Sequence, residues 1–197
     1  MLLYDSGVSG NCYKVRLLLS HLGLEYERRE LDVVDRSNRQ EVLGDLNPGL
    51  RVPTLVLDDG RALGESGAIL NYLAEGTGYI PEDPFDRAKM LQWMFFEQYS
   101  HEPYVAVPRF WLTKNVEVDP ETLAERQTVG YRAFDAMESH LAGNEYLAAS
   151  RYTLADIALY AYTHVADEGG FDMNGYPSIA AWIDRVASQP GHVPITA

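Results

Sequence analysis

The chain has 197 residues, of which 46% are hydrophobic and 23% charged, and this composition is typical of globular domains. Its formal net charge is −13, and its Lys and Arg residues form no cluster. Both facts argue against nucleic acid or an anionic membrane as a partner. The single cysteine, Cys12, excludes an intrachain disulfide framework and a thiolate zinc cage.

Nothing in the sequence predicts export, membrane insertion or a metal site. The first residues, MLLYDSG, lack the apolar stretch of a signal peptide, and no window of about 18 apolar residues occurs in the chain. The five histidines lie far apart, and none has the spacing of a metal-binding pair. We therefore expect a cytoplasmic protein without a metal.

The first 78 residues alternate short apolar runs with amphipathic stretches, as in a mixed sheet covered by helices. The helices are predicted from apolar residues at helical spacing, and a hairpin is predicted where an Asp-Asp-Gly turn separates two short runs. The predicted elements are a strand at residues 2–4, a helix at 11–22, a strand at 26–33, hairpin strands at 54–57 and 61–63, and a helix that begins at Ser66. The expected order is β-α-β-α-β-β-α.

Residues 79–85, YIPEDPF, contain two prolines and change the character of the chain, so they form the candidate linker. Strand signals vanish after this linker, and helical periodicity replaces them. The predicted helices span residues 86–111, 120–141, 153–165 and 177–188. We therefore expect one domain at residues 1–78 and an all-helical domain at residues 86–197.

Val52-Pro53, just ahead of a predicted strand, is the first candidate for a binding role. A cis bond here would turn the backbone N–H and C=O of Val52 outward, where they could pair with an extended peptide. The alternative is an ordinary trans proline at the start of an edge strand. The two residues alone do not decide between these interpretations.

Glu65-Ser66 is the second candidate, because it combines a carboxylate with a serine at the start of a predicted helix. The serine hydroxyl and the first free N–H groups of the helix form an anion site, and the carboxylate could hold an ammonium group. Together they could bind the two charges of an α-amino acid. The alternative is a plain helix cap with an acidic neighbour that the helix dipole favours.

The third candidate is the stretch Ser9-Gly10-Asn11-Cys12, between the first strand and the first helix. The partial positive charge at a helix N-terminus favours a thiolate, and the Ser9 hydroxyl or the Asn11 amide could donate a hydrogen bond to it. Taken alone, Ser9 could equally be a loop or capping residue.

In combination and in this order, these motifs resemble the cytosolic glutathione transferase family. The resemblance rests on Asn47-Pro48, Arg51-Val52-Pro53 and Glu65–Ile69, and it extends to the helix start at Tyr152–Ala158. It covers nearly the whole chain. It implies a thioredoxin-like N-terminal domain that binds glutathione, followed by an all-helical domain that contributes the electrophile pocket.

The family pattern implies a role for each site residue at its own position. Pro53 would be cis, and the backbone of Val52 would bind the cysteinyl part of glutathione. Glu65 and Ser66 would hold the γ-glutamyl end. Arg51 stands where the family often has Gln or Lys, and a further basic residue, Arg39, would hold the glycine carboxylate.

Ser9 falls at the position of the family's thiol-activating serine or thiol-exchanging cysteine. With Asn11, it resembles the serine- or threonine-plus-asparagine arrangement of bacterial classes similar to the nu and theta classes. We therefore expect Ser9 and Asn11 to stabilise the glutathione thiolate, which attacks an electrophilic carbon. Tyr99 and Tyr104, in an aromatic-rich helix of the second domain, are the candidates for the electrophile pocket.

Glutathione, as a substrate, and a small hydrophobic electrophile are the expected partners, and the family resemblance implies a homodimer with a role in detoxification. Three alternatives remain open from the sequence. The thiolate could instead reduce a disulfide or a peroxide at the same site. Glutathione could serve as the cofactor of an isomerase or dehalogenase, or the fold could serve a non-catalytic binding or regulatory protein.

Overall fold

The computed structural model describes residues 1–197, which divide into two compact units. The first unit contains Met1–Thr77 together with Pro190–Ala197, and the second contains Gly78–Gln189. The sequence predicted that residues 86–197 form the helical domain, so the last eight residues lie with a different unit from the one expected. No apolar periodicity in this short segment indicated which unit it would join.

The first unit has the predicted order β-α-β-α-β-β-α and the thioredoxin-like arrangement that the resemblance implied. Its elements are β1 (Leu2–Asp5), α1 (Gly10–His21), β2 (Glu27–Glu30), α2 (Arg39–Leu43), β3 (Thr54–Val56), β4 (Ala62–Leu63) and α3 (Ser66–Ala74).

The four strands form one mixed sheet in the order β2-β1-β3-β4. Strand β1 pairs in parallel with β2, with Leu2 opposite Glu27, while β1 with β3 and β3 with β4 are antiparallel. The parallel pair requires a crossover connection, which α1 supplies. The amino end of α1 therefore lies at the carboxyl end of the central strand β1.

Alternate side chains of β1 enter the two layers of the core, as the period of a strand requires. Leu3 packs in a cluster with residues of α1, β3 and α3, whereas Tyr4 packs in a cluster with Leu31 and with Leu43 of α2. Helices α1 and α3 thus cover one face of the sheet and α2 covers the other.

The second unit is all-helical, as predicted. Its elements are α4 (Pro84–Phe96), a π-helix (Glu97–His101), α5 (Glu102–Thr113), α6 (Pro120–Leu141), α7 (Leu154–Thr163), a 3₁₀-helix (Ala166–Gly169) and α8 (Pro177–Ala187). None of the helices combines the length and the apolar character needed to cross a membrane.

Helix α7 begins with the capping box that the sequence indicated at Thr153 and Asp156. The Asp156 carboxylate is completely buried and accepts four hydrogen bonds, from Leu147 N, Trp182 Nε1, Thr153 N and Thr153 Oγ1, at 2.9–3.2 Å. Burial raises the pKa of Asp156 to about 6, although these hydrogen bonds oppose the shift. The carboxylate thereby joins the start of α7 to Trp182 of α8.

Candidate active site

Ser9 is the N-cap of α1, where it has extended backbone angles (φ −83°, ψ 120°). Its Oγ accepts a hydrogen bond from Cys12 N at 3.3 Å, so the hydroxyl lies beside the first free amides of the helix. The hydroxyl hydrogen is not committed to this bond, because Oγ is the acceptor in it. Ser9 can therefore donate a hydrogen bond to an anion at the amino end of α1.

Asn11 lies in the first turn of α1, and its Oδ1 accepts hydrogen bonds from Lys14 Nζ at 2.7 Å and Ser66 Oγ at 3.2 Å. An ammonium group can only donate, so the amide atom that contacts Lys14 must be the oxygen. This fixes the orientation of the side chain and directs the NH₂ group of Asn11 to the opposite side. The structure thus joins two predicted site residues, Asn11 and Ser66, and adds Lys14, which no sequence motif indicated.

Cys12 is fully buried in the core of the first unit. Burial raises the pKa of its thiol, and the nearby charge of Asp5 raises it further, while the hydrogen bond with Ser9 acts in the opposite direction. The thiol therefore stays protonated and inaccessible. Cys12 is a packing residue, and a nucleophilic sulfur at this site must come from a bound molecule.

The Val52–Pro53 peptide bond is cis, as the resemblance implied. The turn before it is held by Asn47, whose Nδ2 donates to Arg51 O at 3.2 Å and to Thr54 Oγ1 at 2.9 Å. Thr54 Oγ1 in turn donates to Arg51 O at 2.8 Å. In the sequence Asn47 is only one member of a motif, and the structure gives it a physical role in shaping the loop that carries Val52.

Residue 64 packs against this loop and is a glycine, because no side chain would fit there. A Cβ at residue 64 would come within 2.7 Å of Asn47 Nδ2, an atom that two hydrogen bonds hold in place. The glycine therefore permits the turn at Asn47 to approach the segment that leads to Glu65.

Glu65 has positive φ (φ 63°, ψ 115°) immediately before α3. A non-glycine residue held in so sparsely populated a region costs about 1–3 kcal/mol, and such residues concentrate at binding and catalytic sites. The Glu65 side chain is exposed, whereas Ser66, the first residue of α3, is 4% exposed. The pair thus presents an accessible carboxylate next to a buried hydroxyl and the free amides of a helix N-terminus.

Arg39, the first residue of α2, is 4% exposed. Its Nη2 donates to Asp32 O at 2.6 Å, but its buried Nε and Nη1 atoms have no hydrogen-bond partner. Burial lowers the pKa of Arg39, and the neighbouring charge of Arg36 contributes in the same direction. Unsatisfied buried donors on a cation suit an anionic ligand. Arg51, by contrast, has an exposed side chain.

The two tyrosines predicted for the electrophile pocket have different surroundings in the second unit. Tyr99 lies in the π-helix and is 84% exposed. Tyr104 lies in α5, and the guanidinium of Arg126 stands over its ring at 5.7 Å from the centroid and also over the ring of Trp111. Tyr99 is thus the more accessible of the two, and a role for either residue towards an electrophile stays a prediction.

Comparison with known proteins gives two matches to family models. Residues 3–78 match the N-terminal domain of glutathione S-transferase, and residues 91–190 match its C-terminal domain. The chain belongs to the glutathione S-transferase family. It is an enzyme of this family, and the resemblance drawn from the sequence motifs is confirmed.

Individual relatives cover nearly the full length of the chain. A crystal structure of glutathione S-transferase from Pseudomonas fluorescens Pf-5 is 47% identical with a TM-score of 0.96, and the match covers 100% of this chain and 98% of that one. Glutathione S-transferase 3 of Zea mays is 30% identical, over 95% of this chain and 89% of its own length. The disulfide-bond oxidoreductase YfcG of Escherichia coli K12 is 26% identical, over 91% and 87% respectively.

Proposed function

We propose that the protein binds glutathione in its first unit and activates the thiol for attack on an electrophilic carbon. The observation that carries this proposal is the group at the amino end of α1, where the Ser9 hydroxyl and the oriented Asn11 amide adjoin free helix amides. Hydrogen-bond donors and a helix N-terminus stabilise a thiolate and so lower the pKa of the bound thiol. The Val52 backbone, Glu65, Ser66, Arg39 and Arg51 are the proposed glutathione-binding residues.

The proposed binding mode assigns the charges of glutathione to groups of opposite sign. Glu65 would accept the γ-glutamyl ammonium, and Ser66 with the α3 amides would bind the adjacent carboxylate. Arg39 would bind the glycine carboxylate, which would satisfy its two unpartnered buried nitrogens. The backbone N–H and C=O of Val52 would pair with the cysteinyl residue between these ends.

The chemical step then needs no covalent bond to the protein. The glutathione S–H loses its proton to solvent water, and the thiolate sulfur attacks the electrophilic carbon. A C–S bond forms, and the leaving group departs with its electron pair. Ser9 and Asn11 stabilise the negative charge on sulfur before the attack, so they set the fraction of glutathione that is ionised at a given pH.

A second candidate reaction is the reduction of a disulfide by glutathione, which the similarity to the disulfide-bond oxidoreductase YfcG favours. The thiolate would attack one sulfur of the disulfide and release the other as a thiolate. A second glutathione thiolate would then attack the glutathione sulfur of the mixed disulfide, which breaks that S–S bond, forms glutathione disulfide and releases the remaining substrate sulfur as a thiolate. Because Cys12 is buried, both attacking sulfurs would come from glutathione.

Calorimetric titration with glutathione tests the proposal. We expect saturable binding below millimolar concentration, and no binding at that concentration would overturn the proposed function. Activity is then compared on a chlorinated aromatic, an isothiocyanate, a hydroperoxide and hydroxyethyl disulfide. Turnover highest on the first two supports the transferase reaction, whereas turnover confined to hydroxyethyl disulfide supports the reductase. Binding without any turnover would leave only the binding role.

A further inference from the structure

The segment Pro190–Ala197 is held against the first unit through its backbone carbonyls. Five of these carbonyls accept hydrogen bonds from side chains of α1 and β2, at 2.6–2.8 Å. The pairs are His21 Nδ1 with Pro190 O, Ser20 Oγ with Gly191 O, Tyr13 OH with Val193 O, Arg16 Nη2 with Ile195 O, and Arg28 Nη1 with Ala197 O. The segment is thus fixed by specific polar contacts and not by apolar packing alone.

Arg16 joins this segment to the loop that ends at Ser9. Its side chain is 2% exposed, and its Nη1 donates to Asp5 Oδ1 at 2.7 Å. The same guanidinium donates to the carbonyls of Ser6 and Gly7 at 3.3 Å each and to Ile195 O at 2.6 Å. One planar cation therefore contacts the segment and the β1–α1 loop at the same time.

Arg28 of β2 makes a second connection between the same two parts of the chain. Its Nη1 donates to Ala197 O, its Nε forms an ion pair with Asp5 Oδ2, and its Nη2 contacts Glu30 Oε2 at 3.2 Å. Glu30 Oε1 accepts from Gly7 N at 2.8 Å. Gly7 N of the β1–α1 loop is therefore linked to the segment through Glu30 and Arg28.

We propose that the segment Pro190–Ala197 is a positioning element of the thiol site and that Arg16 is the residue through which it acts on Ser9. The inference rests on the proposed function, in which Ser9 stabilises the glutathione thiolate. The Nε of Arg16 is buried without an acceptor, so the orientation of this guanidinium depends on the acceptors of its Nη1 and Nη2 groups. The hydrogen bond to Ile195 O is, at 2.6 Å, the shortest that Arg16 makes, so displacing the segment removes the main acceptor of Nη2 and weakens the hold of Arg16 on the Ser6 and Gly7 carbonyls.

Gly191→Val displaces the segment without removing any donor. Gly191 has φ 76°, and a Cβ there would lie 3.1 Å from Ser20 O and 3.3 Å from His21 Cα. We expect kcat to fall about tenfold while KM for glutathione changes by less than about threefold, since the γ-glutamyl and glycine contacts are intact. We also expect the pKa of the bound thiol to rise, measured from thiolate absorbance against pH. Gly175→Val is the control, because nothing lies within 4 Å of a Cβ there.

Tyr13→Phe is the second variant, in case Gly191→Val does not fold. It keeps the buried ring and removes only the hydroxyl that donates to Val193 O at 2.7 Å. Amide hydrogen exchange is measured in both variants, and we expect faster exchange at residues 190–197 and at residues 6–11. This readout needs no glutathione, so it separates this proposal from the proposed function. Faster exchange in the segment with unchanged exchange at residues 6–11 and unchanged kcat would overturn it.

Discussion

Ser9 caps α1, and in the proposed function its hydroxyl also stabilises the bound thiolate, so one substitution tests both roles through different measurements. Ser9→Ala removes the acceptor of Cys12 N, which lowers the free energy of unfolding by about 1 kcal/mol. It also removes a donor to the thiolate, so we expect the pKa of bound glutathione to rise by about one unit and turnover below that pKa to fall about tenfold. Spectrophotometric titration of the bound thiol measures the shift.

Ser188→Ala is the matched control for this variant, because Ser188 is an exposed serine whose Oγ donates to Asp184 O. Its effect on the thiol pKa should be nil. If Ser9→Ala leaves turnover and the thiol pKa unchanged, thiol activation belongs to Asn11, whose amide is oriented by Lys14 and Ser66.

Arg39 is expected to favour binding at the expense of stability. Arg39→Met keeps the aliphatic stem and removes a buried charge with two unpartnered nitrogens. We expect the dissociation constant of glutathione to rise about tenfold, because a charge-assisted hydrogen bond is lost. The free energy of unfolding of the ligand-free protein should be unchanged or higher. Calorimetry and urea unfolding measure the two quantities.

The control for this substitution is Arg36→Met, which removes the same charge from an exposed neighbour. It should leave the dissociation constant within about twofold of the original, because exposed charges contribute little. An equal loss of affinity in both variants would show that the shared positive charge of Arg36 and Arg39, and not the buried Arg39 site, attracts glutathione.

At the scale of the elements, the start of α7 depends on one carboxylate. The two carboxylate oxygens of Asp156 accept four hydrogen bonds, and Asp156→Asn leaves only one acceptor oxygen. We therefore expect the free energy of unfolding to fall by about 2–4 kcal/mol. Urea unfolding measures the loss. Asp167→Asn, at an exposed residue, should change it by less than about 0.5 kcal/mol.

The difference in the free energy of unfolding between the natural protein and Asp156→Asn depends on pH, because the Asp156 carboxyl group titrates. The folded state binds the Asp156 proton more tightly than the unfolded chain, since burial raises the pKa to about 6. Its contribution to stability is therefore complete below about pH 4 and is lost as the pH rises through about 6. We expect the stability advantage of the natural protein over Asp156→Asn to shrink between these values in a series of urea unfolding curves. A constant advantage across the series would contradict the raised pKa.

Helix boundaries were predictable where capping residues and apolar periodicity agree. Helix α6 spans Pro120–Leu141, as predicted residue for residue, because Asp119 caps it and Pro120 occupies its first position. The predicted single helix at 86–111 is instead split by a π-helix at Glu97–His101. Pro103 explains the interruption, since it lacks an N–H and its ring excludes the regular α-helical contact with the preceding turn.

The candidate site was predictable only where a motif carries it. Glu65, Ser66 and Val52-Pro53 stand in recognisable order, and the structure adds the positive φ of Glu65, which no residue type indicated. Lys14 and Arg16 were missed because an amphipathic helix normally exposes its charged residues, whereas in α1 both are at least 98% buried. Lys14 contacts Asn11 one turn earlier in the same helix, whereas the contact of Arg16 with the distant Ile195 is tertiary and has no sequence signature.

At the scale of the whole molecule, the net charge of −13 dominates the electrostatics. Self-repulsion of this charge disfavours the compact state, and salt screens it over a Debye length of about 10 Å at 0.1 M. Exposed ion pairs, such as Arg61 with Asp59, contribute little to stability, so screening them with salt costs little stability. We expect the Tm to rise as NaCl increases from about 10 to about 200 mM. A falling Tm in the same thermal scans would show that surface ion pairs outweigh the net repulsion.

The return of Pro190–Ala197 to the first unit also bears on the order in which the protein can fold during synthesis. Domains generally fold as they leave the ribosome, the N-terminal one first. Here the first unit contains residues that precede the second unit and residues that follow it, so its last hydrogen bonds form only after the second unit has been translated. A nascent chain that stops at Thr77 lacks the acceptor that Ile195 offers to Arg16, so the hydrogen bonds that Arg16 makes to the loop before Ser9 and to the segment are complete only after residue 195 has left the ribosome.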